Sequence, residues 1–275
     1  MIAIIISNDQ KTLLFAAEEL RRLLNKVGLM SKTYSYSALD EVKETKHIFL
    51  ILQDEYVLKS DKKLHLEKDG FALIQDKEDV WIIGKEERSI LYGVYHFAEL
   101  QLGYEWVRWE EIEPTKMNAL PLMKDVNQIH NPLFTRRGNI IETINDAKFI
   151  HGLIDWGVKN RLNEFFFTFF LWDMVKEQVR EHLYDRNVNV TLGGHSLQFL
   201  LEKAGYVPSG DQRFFSGNIN LQNQVIEEII RFCKEDSIIT RISLWPEDIG
   251  IEEKDFATFL SSYITFTEKL KQAIS

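Results

Sequence analysis

The chain has 275 residues, of which 45% are hydrophobic and 27% are charged. These proportions are typical of a globular protein and exclude an intrinsically disordered chain, and the length allows one large domain or two modest ones. The formal net charge is -9, with lysines and arginines scattered among acidic residues. Because no basic stripe could follow a phosphate backbone, we do not expect the chain to bind nucleic acid.

The sequence shows no sign of membrane insertion or of disulfide formation. No segment reaches the roughly 18 apolar residues that a membrane-spanning helix needs. The start, MIAIIISNDQ, lacks the basic end, long apolar centre and cleavage site of a signal peptide, so we expect a cytoplasmic protein that does not bind membranes. The single cysteine, Cys233, excludes an intramolecular disulfide, and its helical pattern predicts a packed apolar side chain.

The sequence pattern of residues 1–113 predicts a small α/β domain. An apolar strand and an amphipathic helix that stops before Gly28 come first, at residues 2–6 and 11–27. Three β-rich segments and a second helix follow, at residues 47–52, 70–75, 79–84 and 88–102. A short polar connection predicts that the last two strands form a hairpin. The pattern as a whole predicts a sandwich of a small sheet covered by helices.

Four segments of this region resemble a known type of domain. They are AAEELRRLL at 16–24, DGFAL at 69–73, DVWIIGKEERSILYGVYHFAEL at 79–100 and LGYEW at 102–106. Their pairing resembles the non-catalytic N-terminal domain that precedes the barrel in α-glucuronidases and hexosaminidase-type glycoside hydrolases. Aromatic side chains of this region could form a sugar-stacking platform, although packing in a core or a domain seam is their more frequent use. They are Tyr92, Tyr95, Trp106 and Trp109.

Residues 114–131 are predicted to be a linker, because they combine two prolines with many polar residues and weak periodicity. Strands and helices then alternate four times in the second domain, residues 132–275. The strands are predicted at 134–141, 165–171, 188–192 and 238–244, and the helices at 145–160, 173–185, 221–234 and 252–273. Repeated βα units imply right-handed crossovers and a parallel sheet, for which a TIM-type barrel is the natural closure.

The predicted barrel is incomplete. A (β/α)8 barrel has eight βα units in about 250 residues, whereas this region offers about four. An unclosed half-barrel would expose two strand edges, which natural proteins pair or cover. Three interpretations stay open: the chain is a fragment, another body completes the barrel, such as a homo-oligomer formed through the exposed edges, or the strand count is different.

The second domain continues the resemblance. Asn160-Arg161-Leu162-Asn163, Trp172, LGGHSLQFLL at 192–201 and PEDIG at 246–250 resemble α-glucuronidase-related barrels, especially a large uncharacterised bacterial family grouped with them. The resemblance implies a glycoside hydrolase that acts on a terminal sugar of a uronic-acid-containing or other plant oligosaccharide. It also implies that the residue after the fourth strand is the general acid, for which Glu247 is preferred to Asp248, and that the base lies on a later strand.

Glu247 and Asp248 are the candidate catalytic residues. Glycoside hydrolysis needs one protonated carboxyl group and a second carboxylate about 5–10 Å away. Adjacent residues of a strand point apart, so this pair is not expected to be both acid and base of one site. The alternative is a solvated Pro-Glu-Asp turn that caps the next helix.

Four residues are candidates for sugar binding. His195 follows two glycines at a strand end and could hydrogen bond hydroxyl groups, or it could be satisfied by the backbone. Arg137, preferred over Arg136 by the resemblance, could hold the carboxylate of a glucuronic acid, with a structural salt bridge as the alternative. Trp172 and Trp245 could stack on a sugar ring or serve only in packing.

Other chemistries lack sequence support. The chain contains no GxGxxG after a strand, no GxxxxGK[ST], no HExxH and no GxSxG motif, and His195 has no second metal ligand at a standard spacing. We therefore expect no cofactor and no metal. The alternative to an enzyme is a non-catalytic carbohydrate-binding or truncated protein that retains half of the barrel.

Overall fold

The computed structural model describes residues 1–44, 46–60, 63–108, 110, 112, 114–117, 119–120, 127–206, 219–245 and 253–274. Among these residues, no helix is both long enough and apolar enough to cross a bilayer. The chain divides into two compact units. The first consists of Met1–Gly138, Lys148–Asn163 and Arg180–Val188, and the second of Asn139–Ala147, Glu164–Val179 and Asn189–Ser275.

A six-stranded mixed sheet forms the centre of the first unit. Its strands are β1 (Ile2–Ile6), β2 (Ser31–Ser35), β3 (His47–Leu52), β4 (Phe71–Asp76), β5 (Asp79–Gly84) and β6 (Asn127–His130). They lie in the order β2-β1-β3-β5-β4-β6. Only β4 runs antiparallel to its neighbours, β5 and β6. The turn from β4 to β5 passes through Lys77 at a φ of 58°, in keeping with the predicted hairpin.

Helices cover this sheet because their sequences carry apolar faces. The helices are α1 (Lys11–Lys26), α2 (Gln53–Ser60) and α3 (Glu87–Phe97), with a 3₁₀ segment at Tyr36–Glu41 and a π-helical turn at Ala98–Leu102. Glu86 and Ser89 form a capping box at the start of α3. A Cβ atom at Gly93 would lie 2.5 Å from Ile82 Cγ2, so the glycine lets α3 lie close on the sheet.

The second half of the chain contributes four parallel strands. They are β7 (Gly138–Ile141), β8 (Glu164–Thr168), β9 (Asn189–Gly194) and β10 (Ile239–Leu244), in the order β10-β9-β8-β7. The helices between and after them are α4 (Ala147–Lys159), α5 (Phe169–Asp185), α6 (Leu197–Lys203), α7 (Ile219–Glu235) and α8 (Glu253–Ile274). The predicted fold class is confirmed: an N-terminal α/β domain precedes a parallel sheet that has four strands, each followed by a helix, among the described residues.

Several elements differ from the prediction. Strand β8 ends at Thr168 rather than at residue 171, because the Thr168 hydroxyl accepts a hydrogen bond from Leu171 N (3.2 Å) and caps α5. Strand β7 covers only the last four of eight predicted residues. Residues 127–130, within the predicted linker, form β6 by pairing with β4. The domain limits 1–113, 114–131 and 132–275 stay a prediction.

Candidate functional site

The carboxyl ends of β9 and β10 meet at two glycines. A Cβ atom at Gly193 would lie 1.9 Å from Ser243 O, so only glycine allows the two strands to approach this closely. Gly194 has a φ of 73°, and its carbonyl oxygen accepts a hydrogen bond from Trp245 N at 3.0 Å. These two residues therefore determine where the side chains that follow β9 and β10 lie.

Ser196 fixes the turn after β9. Its hydroxyl donates to Gly193 O (2.7 Å) and accepts from Phe169 N (3.2 Å), and the residue is buried. This hydroxyl connects the end of β9 to the start of α5. Sequence reasoning overlooked Ser196, although a serine directly before an apolar helical pattern is a usual helix-start signal.

The turn brings together two of the predicted sugar-binding residues, His195 and Trp245. His195 is exposed, and its ring lies edge-on to the indole of Trp245, with the centroids 5.3 Å apart. The indole stacks on Phe166 of β8 at a centroid distance of 5.2 Å, and its Nε1 donates to Ser243 Oγ (3.3 Å). The contacts with Phe166 and Ser243 hold a partly buried indole at the end of the sheet, next to the exposed imidazole.

Strand β7 places a carboxylate at the same end of the sheet. Glu142 directly follows β7 and has an exposed side chain, and its carbonyl oxygen accepts a hydrogen bond from Thr168 Oγ1 at 2.8 Å. Sequence reasoning overlooked Glu142. Its position directly after a predicted strand was the signal that could have found it, because carboxyl ends of parallel strands meet at one edge.

The predicted catalytic residues, Glu247 and Asp248, lie outside the described residues. Their roles stay a prediction. The last residue described before them is Trp245, which directly follows β10 and donates a backbone hydrogen bond to Gly194 O.

Arg137 lies in the first unit, where its guanidinium group has several protein partners. Its Nη2 is 3.2 Å from Asp69 Oδ2, its Nε donates to Arg161 O (2.8 Å) and its Nη1 donates to Phe134 O (2.6 Å). These contacts favour the structural salt bridge over carboxylate binding, since every guanidinium nitrogen already has a partner. The role in sugar binding stays untested.

Trp172 lies in α5 and is only 1% exposed. Its ring packs against Phe167 with the centroids 5.3 Å apart. A side chain buried to this degree has little area to offer a ligand, so the geometry favours the packing alternative for Trp172.

The aromatic residues of the first unit are also used in packing. Tyr92, Tyr95 and Trp106 are buried. The Tyr92 hydroxyl donates to Leu162 O (2.9 Å), and the Tyr95 hydroxyl donates to Glu19 Oε2 (2.9 Å). Burial raises the pKa of both phenols. This arrangement favours core packing over a sugar platform for these three residues, whereas Trp109 lies outside the described residues.

Histidine, cysteine and acidic side chains do not gather into a metal site in the part of the chain that the structure describes. Ser196, His195, Trp245 and Glu142 are among the polar and aromatic residues that the structure describes at the carboxyl end of the second sheet.

The comparison with protein families found a match for the N-terminal part of the chain. The family described as the glycosyl hydrolase family 67 N-terminus matches residues 1–97. The N-terminal domain is α-glucuronidase-like. The resemblance predicted from the sequence is thereby confirmed for this domain. A search of curated protein sequences gave no match.

Solved structures of glycoside hydrolases share the fold of nearly the whole chain. A family GH115 4-O-methyl-α-glucuronidase with specificity for decorated arabinogalactans aligns with a TM-score of 0.69 at 13% identity, over 99% of this chain and 40% of that one. A GH138 enzyme that targets pectin rhamnogalacturonan II aligns with a TM-score of 0.60 at 14% identity, over 99% of this chain and 34% of that one. The protein CpGH84D aligns with a TM-score of 0.51 at 13% identity, over 98% of this chain and 45% of that one. The chain thus spans less than half the length of each of these three neighbours.

Proposed function

We propose that this chain is a glycoside hydrolase of the α-glucuronidase type, in which Glu247 protonates the glycosidic oxygen of a terminal sugar. The observation that carries the proposal is the contact between His195 and Trp245 at the carboxyl ends of two parallel strands. That edge is where (β/α)8 enzymes bind and transform their substrates. The family 67 match and the glycoside hydrolase neighbours support the same chemical class.

The geometry suits a sugar ring. An indole offers a flat apolar surface to the C–H groups of a pyranose, and Phe166 supports the Trp245 indole from one side. The exposed imidazole of His195 can donate to or accept from hydroxyl groups. Within this proposal, the four βα units are half of a TIM-type barrel, the substrate is a uronic-acid-containing or other plant oligosaccharide, and the reaction takes place in the cytoplasm.

Binding without turnover is the second candidate function. The chain spans only 34% to 45% of the length of the structural neighbours, and hydrolysis requires a second carboxylate across the site. A protein that keeps Trp245 and His195 but has no opposing carboxylate would bind a sugar and leave its glycosidic bond intact.

The proposal is tested with the Glu247→Gln and Trp245→Ala variants. Turnover is measured on aryl α-glucuronides, and binding is measured by calorimetric titration with glucuronic acid and with xylo-oligosaccharides. Glu247→Gln should lower turnover by about 10²- to 10⁴-fold with binding retained, because only proton transfer is lost. Trp245→Ala should weaken binding at least about tenfold, which corresponds to about 1.4 kcal/mol.

Tyr34→Ala is the matched control, because Tyr34 is a partly exposed aromatic residue of the first unit. It should leave turnover and binding unchanged. Wild-type turnover in Glu247→Gln would refute the role of the acid. Sugar binding without turnover in the unmodified chain would support the second candidate, and neither binding nor turnover would refute both.

A further inference from the structure

Gly194, His195 and Ser196 form a three-residue turn at the end of β9. The carbonyl oxygen of Gly194 accepts a hydrogen bond from Ser196 N at 2.9 Å, two residues further along the chain. This bond closes a γ-turn in which His195 is the central residue. Because His195 does not have a positive φ, the turn is of the common inverse class. The exposed His195 side chain therefore stands at the tip of a closed turn.

The same carbonyl group also binds the segment that follows β10. Gly194 O accepts a second hydrogen bond, from Trp245 N at 3.0 Å. One oxygen atom thus joins the backbone next to His195 to the backbone of Trp245. The indole of Trp245 is held as well, by Ser243 Oγ (3.3 Å from Nε1) and by the ring of Phe166 (centroids 5.2 Å apart). Both the backbone and the side chain of Trp245 therefore have fixed contacts.

Ser196 holds the other side of the turn through its hydroxyl group. The residue is the N-cap of α6, yet its side chain makes no capping hydrogen bond to that helix. A serine at this position normally caps its own helix. Here the hydroxyl donates to Gly193 O (2.7 Å) and accepts from Phe169 N (3.2 Å), and Ser196 is only 2% exposed. The hydroxyl thus stabilises the turn that carries His195 rather than the helix that follows it.

His195 is consequently an exposed side chain on a backbone with little freedom. Gly194 before it is bound through its carbonyl oxygen, and Ser196 after it is bound through both its amide and its hydroxyl group. Segments that connect strands to helices are usually more mobile than the elements they join. A binding side chain on a fixed backbone loses less conformational entropy when a ligand orders it, so the ligand binds more tightly.

We propose that Ser196 is a positioning residue of the sugar site, whose hydroxyl holds the His195 imidazole beside the Trp245 indole. The two rings lie edge-on with their centroids 5.3 Å apart, and this is the arrangement that contacts the sugar. Ser196 does not touch the sugar and acts on it only through His195. The role in sugar binding rests on the proposed function, whereas the arrangement of the two rings can be measured without any ligand.

Nuclear magnetic resonance of the full chain without sugar tests the positioning. Ser196→Ala leaves Gly193 O and Phe169 N without their partner, so the turn should become mobile. The imidazole signals of His195 and the indole N–H signal of Trp245, assigned with His195→Ala and Trp245→Phe, should then shift and broaden. Unchanged signals in Ser196→Ala would overturn the proposal, whatever the function of the chain.

Thr168→Val is the matched control. The Thr168 hydroxyl also bonds to one carbonyl group and to one amide of α5, since it donates to Glu142 O (2.8 Å) and accepts from Leu171 N (3.2 Å). Thr168 is buried, and valine has nearly the same shape. This variant should lower the melting temperature about as much as Ser196→Ala does, but it should leave the signals of the two rings unchanged. If both variants moved these signals equally, the role assigned to Ser196 would be wrong.

A double-mutant cycle with sugar tests whether Ser196 acts through His195. Binding of glucuronic acid is measured by calorimetric titration of the unmodified chain, of Ser196→Ala, of His195→Ala and of the chain with both changes. Ser196→Ala alone should weaken binding about five- to tenfold, and it should have no further effect once residue 195 is alanine. A residue that only stabilises the fold would weaken binding by the same factor in both backgrounds, and that result would refute the positioning role.

The two measurements separate failure of this inference from failure of the proposed function. If the unmodified chain binds no sugar, the proposed function fails, and the resonance measurement alone decides whether Ser196 holds the two rings. If the chain binds sugar and Ser196→Ala changes neither the ring signals nor the affinity, the sugar site stands and the positioning role is wrong. Ser196→Cys, in which a weakly bonding thiol replaces the hydroxyl, is the second variant should Ser196→Ala not fold, and its effects should have the same direction and be smaller.

Discussion

The two sheets of this chain differ in strand direction. The six-stranded sheet of the first unit is mixed, its central strands β1 and β3 are buried along most of their length, and helices cover it. The four-stranded sheet of the second unit is parallel, and its outer strands are largely exposed. Parallel sheets are normally buried on both faces. Both sheets have buried inner strands and exposed outer ones, since β2 and β6 of the first sheet contain no buried residue, so the difference between the sheets lies in strand direction.

Asp69 joins several buried hydrogen bonds and ion pairs of the first unit. It is buried at a φ of 61°, and its Oδ1 accepts from Arg88 Nε at 2.7 Å. Its Oδ2 accepts from Asn163 Nδ2 (2.6 Å) and from Arg137 Nη2 (3.2 Å). Burial raises the pKa of the Asp69 carboxyl, but the Arg88, Asn163 and Arg137 partners more than offset it, and the net pKa lies below the ordinary value.

The largest expected effect comes from Asp69→Asn. The variant keeps the shape and tolerates the left-handed backbone, but it removes the nearest counter-charge of the buried Arg88 and leaves only Glu86, 3.8 Å away. The free energy of unfolding of the first unit should fall by about 3–5 kcal/mol, measured by urea denaturation at neutral pH. Because the folded pKa of Asp69 is lowered, its contribution is present above the unfolded pKa of about 3.9 and is lost as pH falls through the folded value.

Asp54→Asn is the control for this change, because the Asp54 side chain is 85% exposed. It should alter the free energy of unfolding by less than about 0.5 kcal/mol. If Asp69→Asn and Asp54→Asn lowered the free energy of unfolding equally, the buried network around Asp69 would contribute no more to stability than an exposed carboxylate does.

Gly193→Ala should have a smaller effect, confined to the second unit. The added methyl group would clash with Ser243 O and force β9 and β10 apart. We expect a loss of about 1–3 kcal/mol in unfolding free energy, together with weaker sugar binding because Trp245 loses its contact with Gly194. Gly205→Ala is the comparison, since its φ is 82° but its Cβ would meet no atom within 4 Å. If Gly205→Ala weakened sugar binding equally, the close approach at Gly193 would not be what positions the site.

The elements that could be predicted from the sequence are those with long apolar patterns. Helix α1 and strands β8 and β9 were predicted because apolar spacing alone identifies them. Strands β2 (SKTYS) and β6 (NQIH) were not, since polar segments of this length become strands only through pairing with β1 and β4. Such pairing joins residues far apart in the chain, so a local sequence pattern cannot predict these two strands.

The candidate site was predictable to the extent that position along a strand determines it. His195 and Trp245 follow strand ends, and the structure brings their rings together. Arg137 is also next to a strand, but its partner Asp69 is 68 residues away in the sequence, so no local pattern could show that its guanidinium group was already bound. Glu142 was missed because it follows the shortest strand of the sheet, without a proline or glycine to mark the turn.

The smallest expected effect concerns the edge strand of the first sheet. His130 of β6 stacks on Phe71 at 4.8 Å and contacts the ring of His96 at 4.3 Å. Burial, followed by His96 and Arg161, lowers the pKa of His130 to about 4, although Glu99 opposes the shift. In the unfolded chain this pKa is about 6.5. Between these values the unfolded state binds a proton that the folded state does not, so stability should fall as pH decreases from 7 to 5.

Replacement of His130 by phenylalanine should keep the stacking and remove this proton uptake. Urea unfolding of the first unit should then lose about 1 kcal/mol less stability between pH 7 and pH 5 than the unmodified chain does, after allowance for solvent screening of a partly exposed group. His65→Phe is the control, because the His65 side chain is 83% exposed. The same pH dependence in both variants would mean that the neutral form of His130 does not stabilise the edge of the first sheet.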